Sequence, residues 1–336
     1  MVQFQIQSDS DIPASTQLFN QVCFAIASRQ FSPGYRLPST RQLAMQTGLH
    51  RNTISKVYER LEDAGFVEAQ MGSGIYVRAL GQESAPLDKK ETHVPVEELI
   101  EQSLDGFLQQ GYSLSDVKKL MLAAIKERLR ASSQLIVTVP QHDLGAGEII
   151  VQELHKALST PIQLVPLEEL DTTLKKRSAA TIVTVRYFAK EAHDILAAHQ
   201  DDDPKAFRII PIDIYNYSDE LELIKALPKE GRLGLVSLSS GTLGVAEVMI
   251  SSLRGDELYV MTAQCHDASR LNALIRHSQT IISDLASRET LQAAIRDAES
   301  DLIRWPKVIY CKTYIDTQSV ESLKRELGIE TRSAVK

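Results

Sequence analysis

The stretch that most constrains the fold of this chain covers residues 34–77, where capping residues and glycines punctuate apolar periodicity at short intervals. Ser39 stands at a helix start and Gln42 follows three residues later, a spacing that predicts a capping box. Gly48 ends the short helix that this box begins, and Gly65 ends a second helix. Two helices joined by so tight a turn predict a helix-turn-helix unit.

The second helix, predicted for residues 50–64, presents one apolar face and one polar face. Its apolar residues are Ile54, Val57, Tyr58 and Leu61. Its polar face begins with Arg51 and Asn52, side chains that pair bidentately with guanine and adenine in a major groove. Because a recognition helix places its first residues against base edges, we expect this helix to read DNA. Arg41, on the preceding helix, is expected to contact a phosphate or a base edge.

Two short strands follow these helices. Residues 66–70 and 75–78 alternate with period two, and residues 71–74 between them, Met-Gly-Ser-Gly, predict a hairpin turn. Glycine allows close approach to a phosphate or a minor groove because it has no side chain. An amphipathic helix over residues 14–29 precedes the unit and is expected to support it. Helix-turn-helix geometry alone also serves ordinary packing, but this order of features favours a winged helix-turn-helix that binds DNA.

This stretch resembles the DNA-binding domain of GntR-type bacterial transcription regulators. The residues that carry the resemblance are Gly34, Leu37, Pro38, Ser39, Arg41, Leu43, Ala44, Arg51, Asn52, Thr53, Tyr58, Leu61, Gly65, Gly72, Ser73 and Gly74. The resemblance implies that DNA is contacted by Arg41, Arg51, Asn52, Thr53, Gly72 and Ser73. The outward positions of Ser55 and Lys56 add these two residues to the predicted interface. His50 departs from the small N-capping residue usual in the family, and we interpret it as a tolerated cap or a phosphate neighbour.

The composition is that of a globular protein with an uneven charge distribution. The 336 residues are 43% hydrophobic and 24% charged, enough for two domains. Lacking a membrane-length apolar run and a signal peptide, the protein is expected in the cytoplasm. The net charge is −7, yet residues 10–80 hold 7 Lys and Arg against 5 Asp and Glu. The predicted DNA-binding part is therefore the relatively positive one, with an affinity that depends on dimerisation and a few phosphate contacts.

Three cysteines show no metal-ligand spacing and no disulfide framework. Cys23 lies on the first predicted helix beside apolar positions and is expected to be buried. Cys265 and Cys311 each follow a predicted strand, where a thiol could be accessible. They are therefore candidates for a redox switch, with ordinary packing as the alternative.

A polar, aperiodic segment over residues 81–94 predicts a linker. Two amphipathic helices follow, the first closed by Gly111 and the second capped by Ser113 with Asp116 three residues on. A helical pair this short cannot bury both apolar stripes by itself. A second copy of the chain is the expected partner surface, and packing against the next domain of the same chain is the alternative.

From residue 134 onward, short apolar strands alternate with helices. The strands are predicted at residues 135–139, 162–165, 181–185, 208–212, 233–237, 258–261, 280–282 and 307–310. Such alternation is typical of a mainly parallel sheet covered on both faces, and we expect an α/β domain like those of periplasmic binding proteins. The whole chain is thus predicted as an α/β multidomain protein. Its parts are a winged helix-turn-helix domain at residues 1–80, a linker at 81–94, a dimerising helical hairpin at 95–132 and an effector or partner-docking domain at 133–336.

Ligands of parallel sheets bind beyond the carboxyl ends of the strands. The effector-binding residues predicted there are His142, Arg186, Tyr215, Ser239, Ser240 and Thr242. A hydroxyl-rich turn that only caps the next helix is the alternative for residues 239–244. The sequence holds no phosphate-binding loop, dinucleotide fingerprint or nucleophile elbow, so we expect no enzymatic activity, no cofactor and no metal.

The succession of DNA-binding module, helical pair and acidic α/β domain resembles the cyanobacterial PlmA-type branch of the GntR family. That resemblance implies a homodimeric regulator of transcription that binds a pseudo-palindromic operator in double-stranded DNA. It also implies coupling of the C-terminal domain to nitrogen signalling through the PII protein, bridged by its partner PipX. The alternative is a repressor whose α/β domain binds a metabolite.

Overall fold

The computed structural model describes Phe4, Ile6 and residues 13–27, 31–70, 72–78, 96–131, 134–158, 160–198, 207–215 and 217–329. The predicted linker at residues 81–94 lies outside these described residues. Within the described part of the chain, no helix combines the length and apolar character needed to cross a bilayer.

The N-terminal module contains three helices and a two-stranded hairpin. These are α1 (Ala14–Ala27), α2 (Thr40–Thr47), α3 (Arg51–Asp63), β1 (Val67–Gln70) and β2 (Gly74–Val77). Leu18, Leu43 and Ile54 are fully buried at its centre, one from each helix. The strands pair antiparallel with Val67 opposite Val77, and Arg36 forms a further bridge to Tyr76. The apolar periodicity of the sequence therefore produces one small core that fixes all five elements.

Two helices follow as a hairpin, α4 (Val96–Gln109) and α5 (Leu114–Ala131). Gly111 adopts a φ of 89°, a left-handed conformation that suits a residue without a side chain at the end of α4. Ser113 caps α5, since its hydroxyl accepts from the Asp116 backbone N–H at 3.2 Å. Both predicted turn signals are confirmed.

The rest of the chain begins with a lobe built on a four-stranded parallel sheet, called here the first lobe. Its elements are β3 (Leu135–Val139), α6 (Leu144–Ala157), β4 (Ile162–Pro166), α7 (Leu170–Leu174), β5 (Ala180–Val185), α8 (Arg186–Ala198) and β6 (Phe207–Ile212). The strand order is β4-β3-β5-β6, and every pairing is parallel. Every residue of β3 and β5 is buried, which explains their continuous apolar character.

A second lobe repeats this arrangement. Its elements are α9 (Ser218–Ala226), β7 (Gly231–Ser237), α10 (Ser240–Arg254), β8 (Leu258–Gln264), α11 (Ala268–His277), β9 (Thr280–Ser283), α12 (Arg288–Asp297) and β10 (Lys307–Tyr310). The strand order is β8-β7-β9-β10, again all parallel. In both lobes the first strand lies between the second and the third. The sequence predicted one mainly parallel sheet, and the structure corrects this to two parallel sheets with the same order.

The chain crosses between the lobes twice. The last helix, α13 (Thr317–Glu326), returns to the first lobe, where Leu323 joins the core that contains β3 and β5. Glu326 accepts a hydrogen bond from Arg208 of β6 at 2.7 Å. Ile214 and Ile315, one on each crossing segment, form an antiparallel bridge. The second lobe is thus inserted into the first.

Candidate nucleic-acid interface

Helix α3 starts at Arg51, and His50 is its N-cap. The Nδ1 atom of His50 accepts a hydrogen bond from the Asn52 backbone N–H at 3.3 Å. An imidazole nitrogen here replaces the hydroxyl or carboxylate oxygen that usually satisfies the first free N–H groups of a helix. The interpretation of His50 as a cap is confirmed, and the cap places Arg51 and Asn52 at the first exposed turn.

The opposite face of α3 is fixed by several independent contacts. Tyr58 is buried, and its hydroxyl donates to the Pro38 carbonyl at the start of α2. Burial raises the pKa of Tyr58 well above its ordinary value, so the phenol remains a hydrogen-bond donor. The Arg60 guanidinium lies 4.0 Å from the centre of the Phe19 ring on α1. These contacts hold the recognition helix rigidly against the rest of the module.

The polar residues of α3 remain open to solvent in the folded chain. Arg51, Asn52 and Lys56 are exposed, while Thr53 and Ser55 are partly exposed. They lie at positions opposite the buried Ile54, Val57, Tyr58 and Leu61. Most of these side chains are therefore available to a groove without any rearrangement of the core.

Helix α2 carries Arg41, the DNA contact predicted on this helix. Ser39 and Gln42 form the predicted capping box: the Ser39 hydroxyl accepts from the Gln42 N–H at 3.3 Å, and the Gln42 side chain accepts from the Ser39 N–H at 2.9 Å. Arg41 follows in the first turn and is exposed. Gly48, with a φ of 71°, ends the helix in the left-handed conformation. The predicted turn between α2 and α3 is confirmed.

The wing is a tight hairpin, of which residue 71 lies outside the described part. Gly72 has a φ of 75° and the Ser73 N–H donates to the Gln70 carbonyl at 2.9 Å. The hydroxyls of Ser73 and Tyr76 are 2.6 Å apart, which orients the Ser73 side chain at the tip. Both predicted wing contacts, Gly72 and Ser73, therefore lie at the turn.

Arg36 is a further cation at the wing that sequence reasoning missed. A side-chain carbon added at Gly74 would lie 2.8 Å from the Arg36 Nε atom, so the guanidinium lies directly against the hairpin backbone. Arg36 is exposed and bridges to Tyr76 through its backbone. The only signal for it was a basic residue just before Leu37, outside every predicted element. Glycine at position 74 thus makes room for a fixed positive charge.

The back of the module contacts both lobes, because α1 packs beside α10 of the second lobe and Phe66 packs on the first lobe. The rings of Phe66 and Tyr187 lie 5.4 Å apart, and Tyr187 packs against both the N-terminal core and the first-lobe core. Tyr187 is the second residue of α8, the helix that follows β5 directly. This contact joins the DNA-binding module to the domain expected to receive signals, and it leaves the polar face of α3 exposed.

The structure brings most of the predicted effector residues together where the two lobes meet. The Ser239 hydroxyl donates to Asp143 at 3.0 Å, and the Ser240 hydroxyl donates to the His142 carbonyl at 3.1 Å. The Thr242 hydroxyl donates to the Tyr314 hydroxyl at 3.3 Å. Ser239 also caps α10, which is the capping role weighed as its alternative. These side chains already bond one another across the lobes.

Two glycines show how closely the lobes approach at this point. A side-chain carbon at Gly145 would lie 1.9 Å from the Leu238 carbonyl oxygen. One at Gly241 would lie 2.5 Å from Asp143 Oδ2. A larger residue at Gly145 would clash with the backbone of the other lobe, and one at Gly241 would displace the Asp143 carboxylate. Burial is the largest influence on the Asp143 carboxyl and raises its pKa, while the hydrogen bond from Ser239 opposes that rise.

The other two predicted effector residues are Arg186, which follows β5, and Tyr215, which lies after β6. Arg186 pairs with the buried Asp213, with 3.2 Å between Nε and Oδ1. Burial lowers the pKa of Arg186 and the carboxylate of Asp213 counters this. The Tyr215 N–H donates to the Tyr314 carbonyl at 2.8 Å, and its ring meets Tyr217 edge to face at 5.4 Å. Both residues support the crossing between lobes.

The expected accessibility of two thiols is wrong. Cys265 and Cys311 are both buried, as is Cys23. Burial is the largest cause that raises the pKa of Cys265 and of Cys311, which disfavours the reactive thiolate. The second lobe has two apolar cores. Cys265, after β8, lies in one of them and Cys311, after β10, lies in the other, so both thiols are surrounded by apolar side chains. A redox role would require these cores to open.

A winged helix-turn-helix with an open polar recognition face, joined to parallel α/β lobes, defines a DNA-binding transcriptional regulator. The model for bacterial regulatory proteins of the gntR family matches residues 14–77, and the model for the C-terminal domain of cyanobacterial PlmA-type GntR regulators matches residues 219–312. The chain belongs to the GntR family, and its C-terminal domain is of the PlmA type. It is a regulator of transcription and not an enzyme.

Relatives of known sequence agree over the N-terminal part. The chain is 31% identical over 120 residues to the uncharacterized HTH-type transcriptional regulator YhcF of Bacillus subtilis, covering 36% of this chain and 93% of YhcF. It is 36% identical over 73 residues to the HTH-type transcriptional repressor YtrA of the same organism, covering 22% and 56%. The solved YtrA of Sulfolobus acidocaldarius shares 34% identity over 22% of this chain and 78% of that chain, with a TM-score of 0.21.

Proposed function

We propose that this protein is a homodimer that binds a pseudo-palindromic operator through Arg51, Asn52 and the wing. The observation that carries the proposal is that α3 packs on the module core through one face while its polar residues are exposed in the folded chain. Arg36 and Arg41 add exposed positive charge beside it. In such a complex, Arg41 contacts the phosphate backbone or a base edge, Thr53, Ser55 and Lys56 extend the base-edge contacts, and Gly72 and Ser73 approach the backbone.

The helical hairpin supports the dimeric form of this proposal. Helix α4 has no buried residue in the single chain. Large apolar side chains that are exposed on the hairpin include Val96, Leu99, Ile100, Leu114, Leu120, Leu122, Ile125 and Leu129. A groove of about 420 Å³ opens between the two helices. An apolar surface of this extent needs a partner, and the same hairpin of a second copy supplies matching apolar side chains.

The domain boundaries fit this division of labour. Residues 1–80 would read DNA, residues 95–132 would hold two copies together, and residues 133–336 would receive the signal. The two lobes share one strand order and are linked by two crossings, which supports an architecture like that of periplasmic binding proteins. A signal that changes the angle between lobes would reach the DNA-binding module through Tyr187 of the first lobe and through α10 of the second lobe, which packs beside α1. A coupling of about 1 to 3 kcal/mol is enough to change operator affinity about 5- to 150-fold.

For the signal itself we favour docking of PII through PipX over a metabolite. The exposed loop before β10 supports a protein partner, because Ile303 is fully exposed and the Trp305 side chain is 55% exposed. Tryptophan is enriched among the residues that dominate binding energy at protein interfaces. Exchange of Trp305 for alanine is expected to abolish capture of a preassembled PII–PipX complex while operator affinity stays unchanged. Undiminished capture would remove this loop from the docking surface.

The experiment that tests the central proposal is selection of duplexes from random DNA by the full chain, followed by affinity measurement at two salt concentrations. A selected site with two inverted half-sites about one helical turn apart is the expected result. A steep fall of affinity with salt would reflect the phosphate contacts. Recovery of no enriched sequence, or of a single unpaired half-site, would contradict the proposal.

A further inference from the structure

The second lobe contains a cavity next to the contact between the lobes, with which it shares Thr242 and Tyr314. It lies at the carboxyl ends of β7 and β9 and under α9 and α10. With the strand order β8-β7-β9-β10, the connections leave β7 and β9 in opposite directions, so the cavity lies at the switch point of the sheet. That is where parallel sheets of this order bind their ligands. The volume of the cavity is about 80 Å³.

The walls of this cavity are mostly apolar. They include Ile224, Leu235, Leu243, Ala246, Met249 and Ile282. None of its lining residues is a lysine, arginine or histidine. The nearest cation in sequence, Lys312, pairs with Asp219 at 2.7 Å, and both side chains are largely exposed to solvent. A ligand would therefore meet an apolar surface without positive charge.

Glu220 is the polar group that this cavity leaves unused. Glu220 is 7% exposed, and its carboxyl group interacts with the Cys311 thiol, while its Oε2 atom has no hydrogen-bond partner among the described residues. The other lining carboxylate, Asp284, already accepts from the backbone N–H groups of Leu238 at 3.2 Å and Ser287 at 2.7 Å. A buried carboxylate oxygen without a donor is costly, which leaves a place for a donor from a ligand.

We infer that this cavity binds a small aliphatic amine, with the ammonium group donating to Glu220 Oε2 and the alkyl chain against Leu235, Leu243 and Ile282. A charge-assisted hydrogen bond and a matching apolar wall together select such a ligand over an alcohol or a carboxylate. A carboxylate ligand would add a third carboxylate beside Glu220 and Asp284 and be repelled. The inference names a ligand class for the metabolite alternative given under the proposed function. Only the effect of that ligand on DNA binding depends on the proposed function.

The test uses the full chain without DNA and measures binding of n-butylamine, butanol and butyrate by calorimetry and by thermal unfolding. Butylamine is expected to bind and raise the unfolding temperature, butanol to bind more weakly and butyrate not to bind. Exchange of Glu220 for glutamine preserves the shape and is expected to weaken butylamine binding at least about 10-fold, with little effect on butanol. Glu222→Gln, on the exposed side of the same helix, is the matched control.

A second variant covers the case in which Glu220→Gln disturbs folding. Ala246→Leu fills the cavity from α10 and is expected to exclude both butylamine and butanol in a protein whose unfolding remains cooperative. Equal binding of all three probes, or unchanged butylamine affinity in Glu220→Gln, would overturn the inference. Failure of butylamine to bind the wild type would mean that the cavity holds water only and would overturn it as well. Amine binding that leaves operator affinity unchanged would instead support the site and contradict the metabolite alternative.

Discussion

At the scale of single residues, Arg51 is the contact on which sequence recognition depends most. Exchange of Arg51 for alanine is expected to cost about 1 to 3 kcal/mol of binding to the specific operator and to relax base preference at one position of each half-site. The side chain is exposed, so the stability of the fold should not change. Affinity for specific and for random duplexes, measured by fluorescence anisotropy, checks the prediction.

Arg232→Ala is the matched control, because Arg232 is an exposed arginine on β7 in the second lobe. It should leave both affinities unchanged. An Arg51→Ala protein that loses the same free energy on specific and random DNA would show that Arg51 contacts only phosphates.

Asp143 makes the contact between lobes sensitive to pH. Its folded pKa is raised by burial above the ordinary value of 3.8, so the folded chain holds this proton more tightly than the unfolded chain. The stability that this group contributes is therefore fully present below that ordinary value and is lost as pH rises through the raised folded pKa. The free energy of unfolding of the wild type, minus that of Asp143→Asn, should fall as pH rises from the ordinary pKa of 3.8 through the raised pKa of the folded chain. Urea unfolding across this range measures it, and a flat or rising difference would contradict the prediction.

The two residues also show what a sequence can and cannot disclose about a site. Arg51 is recognisable because its cap, its turn and the apolar stripe behind it are all local in the chain. The bond between Asp143 and Ser239 joins residues 96 positions apart, and no periodicity carries that information. Sequence reasoning found the turns on both sides of the crevice, and their assignment to a ligand stays a prediction, whereas the hydrogen bonds that join them across the lobes had no signal in the sequence.

At the scale of elements, the helical pair α4–α5 decides the oligomeric state. Ile100→Asp places a charge in the groove between the helices, at a side chain exposed in the single chain. It is expected to weaken dimerisation by about 2 kcal/mol for each copy, since an interface core tolerates no unpaired charge. Sedimentation velocity over a range of concentrations measures the loss, and operator affinity should fall with it.

Gln102→Asp adds the same charge two residues away on an exposed position of the same helix and serves as the control. It should remain as dimeric as the wild type. Retention of the dimer by Ile100→Asp would assign the contact between copies to another surface.

The sequence predicts the positions of the strands well, but it does not predict which strands share a sheet. All eight strands after residue 134 were predicted within three residues of their observed ends, because buried runs of branched apolar residues bounded by turns leave little choice. Which strands share a sheet depends on contacts between distant segments. For this reason the break between β6 and β7 and the return of α13 to the first lobe had no signal in the sequence.

At the scale of the whole molecule, Tyr187 is one of the contacts that link the DNA-binding module to the α/β lobes, beside the packing of α1 on α10. Tyr187→Ala removes the ring that packs on Phe66 and is expected to loosen the N-terminal module from the first lobe. Amide hydrogen exchange should then rise in α1 and at the base of the wing, with α11 and α12 unchanged.

Tyr187→Phe is the control for this change, because it keeps the ring and removes a buried hydroxyl that has no partner among the described residues. It should preserve the exchange pattern and stabilise the protein slightly, by about 1 kcal/mol or less. Unaltered exchange in Tyr187→Ala would show that the module is held elsewhere.

The bridge between Ile214 and Ile315 places the two ends of the second lobe side by side. A segment whose ends already touch can be removed or exchanged as a cassette without stretching the scaffold that carries it. The match to the PlmA-type domain, residues 219–312, covers this cassette almost end to end. Replacement of the second lobe at these two ends would give the same DNA-binding scaffold a different sensor domain. Domain exchanges between regulators should therefore be made at the same two positions.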